Sequence, residues 1–142
     1  MEQSVLISIT GTQKIPGEEA ESIELVSSGT YCYEPGLVTI SYVESELTGL
    51  QGVLTTFTIE DGVKATLCRT GTLNSTMTFV LGQTDESLYD MGFGGLLLRV
   101  CTTKMVALLN ERGGIFDLEY TIDIEGSFCG TNSYHIEVRP KT

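Results

Sequence analysis

Residues Ile115–Gly126 read IFDLEYTIDIEG, and their alternation decides the fold. Phe116, Leu118, Tyr120, Ile122 and Ile124 fall on one side, while Asp117, Glu119, Asp123 and Glu125 fall on the other. A period of two is the signature of a strand with one face in a core and one in water. The same period runs outward in both directions. Val5, Ile7 and Ile9 alternate near the start, and Ile23, Leu25, Ser27, Gly29 and Tyr31 share a face further on. Val53, Thr55, Phe57 and Ile59 do so too, as do Val63, Ala65, Leu67 and Arg69. Leu73, Met77, Phe79 and Leu81 follow, and Tyr134, Ile136 and Val138 close the series.

Turn chemistry separates these runs. Glu34-Pro35-Gly36 and Gly113-Gly114 reverse the chain, and Asp61-Gly62 is a two-residue hairpin signal. One segment competes: TKMVALLNE places Met105, Val106, Leu108 and Leu109 at helix-compatible spacing. It is short and flanked by strand patterns, so it reads as the bent end of a long strand. The sum is an all-β chain of about 8–10 hairpin-connected strands. Such a run has two edges that invite aggregation, and closure removes them. The fold expected is an antiparallel up-and-down β-barrel, as a single domain over residues 1–142.

The chain has 142 residues and a net charge of −11, from 19 acidic and 8 basic side chains. Such a surface repels nucleic-acid phosphates and anionic membranes, so neither is expected as a partner. No apolar run reaches the roughly 20 residues of a membrane span. The longest stretch, FGGLLLRVCTTKMVALLN, is interrupted by Arg99 and Lys104. The first residues, MEQSVLISIT, lack a basic n-region and a secretory h-region, so a cytoplasmic location is expected. Cys32, Cys68, Cys101 and Cys129 are scattered without a C-x-x-C pair, as reduced small hydrophobes are. His135 is the sole histidine. No metal and no cofactor are expected.

The inward face carries unusual polar residues. In TISYVESELTG, Ile40, Tyr42 and Glu44 share one side, and Arg69 lies on the face of Leu67. Inside a barrel these groups, with Tyr31, meet Met77 and Phe79. A buried charge without a partner costs several kcal/mol. Glu44 and Arg69 therefore pair with each other, reach water, or bind something. A bridge between them fixes strand register. A pocket between them takes a small molecule. A catalytic arrangement uses Glu44 as general acid or base and Arg69 as a clamp. Glu46 falls at the rim, where a strand ends, and His135 falls on the outward face. Gly92-Phe93-Gly94-Gly95 lacks the following helix of a phosphate cradle.

Several landmarks carry a resemblance. They are Ser28-Gly29-x-Tyr31, Ile40-Ser41-Tyr42-x-Glu44, and Arg69-x-Gly71 ahead of Met77-x-Phe79. Tyr89, Gly94, Thr102-Thr103 and Gly113-Gly114-Ile115 follow in order. With these, the chain resembles the DUF1934 family of small bacterial proteins, the YwiB-like proteins, over about residues 3 to 139. The resemblance implies a lipocalin-like, calycin-type barrel and no established activity. Two departures stand out. Asp90-Met91-Gly92-Phe93 replaces a Thr-Pro pair, and without tryptophan the chain lacks the Gly-x-Trp mark of secreted lipocalins.

The function expected is a non-enzymatic module binding a small, partly apolar ligand in the barrel. Tyr31, Tyr42, Glu44 and Arg69 would give polar contacts, and Met77 and Phe79 the wall. The alternative is a filled barrel acting through its surface as a structural or interaction protein, with a homodimer among the arrangements. An enzyme using Glu44 and Arg69 is the third reading. Cavity volume separates them, since ligand pockets begin at about 300 Å³.

Overall fold

A computed structural model describes residues 2–44, 51–71, 74–90 and 95–141, without the side chains of 87–90 and 95–96. Glu46, Leu73 and the Gly92-Phe93-Gly94 stretch lie outside the described residues. The strands are β1 (Glu2–Lys14), β2 (Glu21–Glu34), β3 (Leu37–Val43), β4 (Leu54–Glu60) and β5 (Lys64–Thr70). They continue with β6 (Ser75–Val80), β7 (Thr84–Asp90), β8 (Gly95–Asn110), β9 (Gly113–Ile124) and β10 (Ser127–Pro140). All ten belong to one antiparallel sheet in the order β6-β5-β4-β3-β2-β1-β10-β9-β8-β7. Sequence neighbours pair except β6 and β7, which stand at the two ends of this order, and β1 also pairs with β10. The sheet curls into a nearly closed up-and-down barrel of the lipocalin-like kind.

The seam falls between β6 and β7 rather than between the first and last strands. Two backbone bonds tie the β6–β7 turn to β8: Gly82 N–H donates to Thr102 O at 3.0 Å, and Thr102 N–H to Gln83 O at 3.2 Å. Thr102 sits at a bulge, where the register of β8 against β9 shifts between Thr102 and Lys104. One extra residue reverses the parity of a strand. Leu98, Val100 and Thr102 are buried before the bulge and Met105 after it. This parity change produced the helix-like spacing around Met105.

The core is where alternation placed it. Ile7, Ile40, Phe57, Leu67, Phe79, Phe116, Leu118 and Ile136 are all nearly or fully inaccessible. Burying each such side chain contributes about 1.5–3 kcal/mol. Three inward expectations fail at strand ends. Ile23 is 45% exposed because the β1–β2 hairpin extends past the packed interior, and Val63 and Leu81 are exposed beside their turns.

Gly29 shows how tightly the layers meet. A Cβ there would lie 2.3 Å from Ser41 O and 2.4 Å from Ile7 Cδ1. Backbone oxygen cannot withdraw as a flexible side-chain tip can. Gly29→Ala is expected to cost about 1–3 kcal/mol, the range for overpacking. Urea unfolding checks this; an unchanged midpoint would show that β2 and β3 are further apart.

Candidate functional site

Cross-strand register assembles the polar cluster. Tyr42 of β3 stands opposite Thr55 of β4, and Thr55 opposite Arg69 of β5. Residues in such a row have side chains about 5 Å apart on one face. Glu44 lies just beyond the end of β3, its N–H donating to Val53 O at 2.8 Å. That bond continues the ladder and keeps Glu44 on the inward side. Its side chain is buried, at 4% exposure.

Thr55 Oγ1 donates to Glu44 Oε2 at 2.5 Å. Arg69 Nε stands 4.0 Å from the same oxygen, an ion pair too long for a hydrogen bond. Arg69 Nη2 donates instead to Tyr134 Oη at 3.2 Å. Its Nε is buried and has no hydrogen-bond partner among the described residues. Burial pulls the guanidinium down, but the Tyr134 oxygen, Glu44 and Tyr42 outweigh it and raise its pKa. Burial pushes the Tyr42 phenol far up, helped by the Glu44 charge. Tyr42 therefore stays protonated and donates.

These groups line a pocket of about 100 Å³ with Ile9, Gly11, Ile23, Leu25 and Tyr134. A second hollow of about 180 Å³ shares Gly11 and Tyr134 and continues past Thr12, Gln13, Glu21, Asn132 and Ser133. A polar niche thus opens into a groove at the end of β1, β2 and β10.

Tyr42, Glu44 and Arg69 are therefore brought together. Tyr31 is not with them: its hydroxyl donates to Asn110 O at 2.7 Å, toward the β8–β9 turn. Burial, with Tyr33 nearby, pushes it up to about 12. Met77 and Phe79 belong to the packed core and do not line the pocket. Phe79 lies against Tyr120, with ring centroids 4.6 Å apart. Tyr134 and Thr55 were not singled out by sequence reasoning. Both were on inward faces, but only register shows that Thr55 faces Arg69 and that Tyr134 faces Gly11.

On the outer face His135 is not simply solvated. Its Nδ1 pairs with Asp117 and its Nε2 lies 3.2 Å from Glu137 Oε1. The Asp117 bond and then the Glu137 bond raise its pKa. A raised folded-state pKa stabilises fully below the unfolded value of about 6.5 and loses that contribution as pH rises through the folded value. The imidazole is 43% exposed, so screening holds the effect to about 1 kcal/mol or less. NMR titration should find this histidine above 6.5, with His135→Gln flattening the stability slope from about pH 6 upward. A midpoint at or below 6.5 would contradict the pairing.

Among the described residues, no group of three or more His, Cys, Asp or Glu is placed to hold a metal ion. No helix among them is long and apolar enough to cross a membrane.

Barrel, register and motif order together define a family. The chain belongs to DUF1934, a domain of unknown function, whose family model matches residues 7–136. Its fold is similar to that in the crystal structure of the ywiB protein from Bacillus subtilis. The TM-score is 0.73 at 23% sequence identity, covering 96% of this chain and 92% of that one. No curated protein matches the sequence.

Proposed function

We propose that the protein is a non-enzymatic binding module whose ligand places a small polar head against Tyr42, Glu44, Arg69 and Tyr134. The observation carrying this reading is Arg69 Nε, a buried donor with no hydrogen-bond partner among the described residues, beside a pocket. Leaving such a donor unsatisfied costs about 1–3 kcal/mol, which an acceptor on a ligand or a bound water removes. Arg69 and Glu44 offset each other in charge, so the head carries an acceptor for Arg69 and a donor or neutral edge beyond it. The niche of about 100 Å³ takes only a few heavy atoms. The adjoining groove takes the rest of the molecule, while Ile9, Ile23 and Leu25 supply apolar contacts within the niche. Cys68, Cys101 and Cys129 are free thiols, in keeping with a reducing, cytoplasmic setting.

Gly11 supplies the test. A Cβ there meets Tyr134 Cε1 at 3.8 Å, an ordinary contact, so Gly11→Val adds bulk to the pocket from a position that accepts a Cβ. Thermal melts with short carboxylic acids, amides and amino acids should show a class that raises the wild-type melting temperature and leaves Gly11→Val unmoved. If no class separates the two proteins, the binding reading is wrong.

One observation favours the second reading, a filled barrel working through its outer surface. Below the niche the interior is occupied by Phe57, Phe79, Phe116 and Tyr120 in ring-to-ring contact. A ligand of the size first expected, about 300 Å³, has no room among those rings.

A further inference from the structure

We propose that the outer face of β2–β6 is a self-association surface and that its partner is a second copy of this chain. Register aligns the outward side chains into rows. Thr39, Thr58, Thr66 and Thr78 form one row, and Ser41, Thr56, Cys68 and Thr76 form the next. Val43 and Leu54 are paired beyond them, 55% and 43% exposed. None of these positions is charged, in a chain whose net charge is −11. The opposite side of the barrel carries Asp117, Glu119, Asp123 and Glu137 outward. The uncharged rows end at the Glu60–Lys64 pair and Glu34, so the wall is divided between a patch without charge and a side on which carboxylates outnumber cations.

The division selects the partner. A basic protein would be drawn to the acidic half, and an acidic one repelled by the whole. Two copies of so acidic a chain also repel, except where their charge-free faces meet and the acidic halves point away. Depletion of charge marks the centre of protein interfaces. A hydroxyl both donates and accepts, so a Ser/Thr face is complementary to its own image across a two-fold axis. The hydroxyls already bond laterally: Ser41 Oγ and Thr56 Oγ1 are 3.0 Å apart. Strand spacing of about 4.8 Å and rise of about 3.3 Å per residue give the face roughly 25 Å by 20 Å. That is about 500 Å² per copy, near the lower limit for a specific interface, so association depends on concentration.

Sedimentation velocity on the full chain over a concentration series tests this. The wild type should pass from monomer to dimer. Thr66→Glu and Thr66→Lys each place like charges across the two-fold and should weaken the dimer at least about a hundredfold. Mixing the two variants should restore association, which separates a lost surface from a lost fold. Thr121→Lys, on the acidic half, should leave the dimer intact. A wild type that stays monomeric throughout, a Thr66→Glu dimer of unchanged strength, or a mixture that fails to associate would each overturn the proposal.

Discussion

Glu44→Gln is expected to lower stability by about 3 kcal/mol, the lower end of the range for breaking a buried ion pair. The substitution keeps the side chain's shape and its bond from Thr55, but removes the charge that faces Arg69. Arg69 is then a largely buried cation, 16% exposed, with Tyr134 as its hydrogen-bond partner among the described residues. For a chain of this size the melting temperature should fall by roughly 10 °C. Arg69→Met added to Glu44→Gln should recover much of the loss, because with a neutral residue at both positions no buried charge is left behind. A double-mutant cycle by urea unfolding measures the coupling. Additive single effects would show that the 4.0 Å separation is too great for the two groups to act as a pair.

Phe57→Ala should have the larger effect, about 3–5 kcal/mol, as for other buried aromatic truncations. Phe57 is fully buried. Its ring centroid is 6.1 Å from that of Phe116 and 5.6 Å from that of Tyr134, both edge-on. Emptying this position removes the floor under Tyr134, so the variant should also loosen the Arg69–Tyr134 contact. Small domains have only about 5–15 kcal/mol in total, so a large share of the fold's margin goes with one ring. Phe57→Leu, which refills most of the volume, should retain most of it. Urea and thermal melts check both variants; a loss under about 1 kcal/mol for Phe57→Ala would mean that the barrel is hollow where it is described as filled.

How much of this was legible in the sequence differs between fold and site. The alternation of Phe116, Leu118 and Tyr120 against Asp117 and Glu119 fixes both the strand and its inward face, because period two is set by backbone geometry alone. Asp61-Gly62 and Gly113-Gly114 mark reversals for an equally local reason. What alternation cannot supply is register. Tyr31 and Tyr42 look equivalent on paper, since both are inward tyrosines near the family landmarks. In space, the Tyr31 hydroxyl reaches Asn110 O, while Tyr42 joins Thr55 and Arg69. The difference arises from side-chain direction and from which strand lies opposite, both nonlocal. The bulge after Thr102 was hidden for a similar reason. An extra residue is visible only against the partner strand, and without β9 it looks like a change of period. Strand ends misled for a simpler cause: Ile23 keeps the period yet lies beyond the reach of the core.

The measurement that bears most directly on the account is the side-chain Nε–H resonance of Arg69, assigned by its loss in Arg69→Lys. This proton should be shielded from solvent exchange, should move when a ligand class that stabilises the wild type is added, and should stay fixed in Gly11→Val. A resonance that exchanges as freely as that of an exposed arginine, or is indifferent to every compound that raises the melting temperature, would contradict a binding niche built on Arg69 and Glu44.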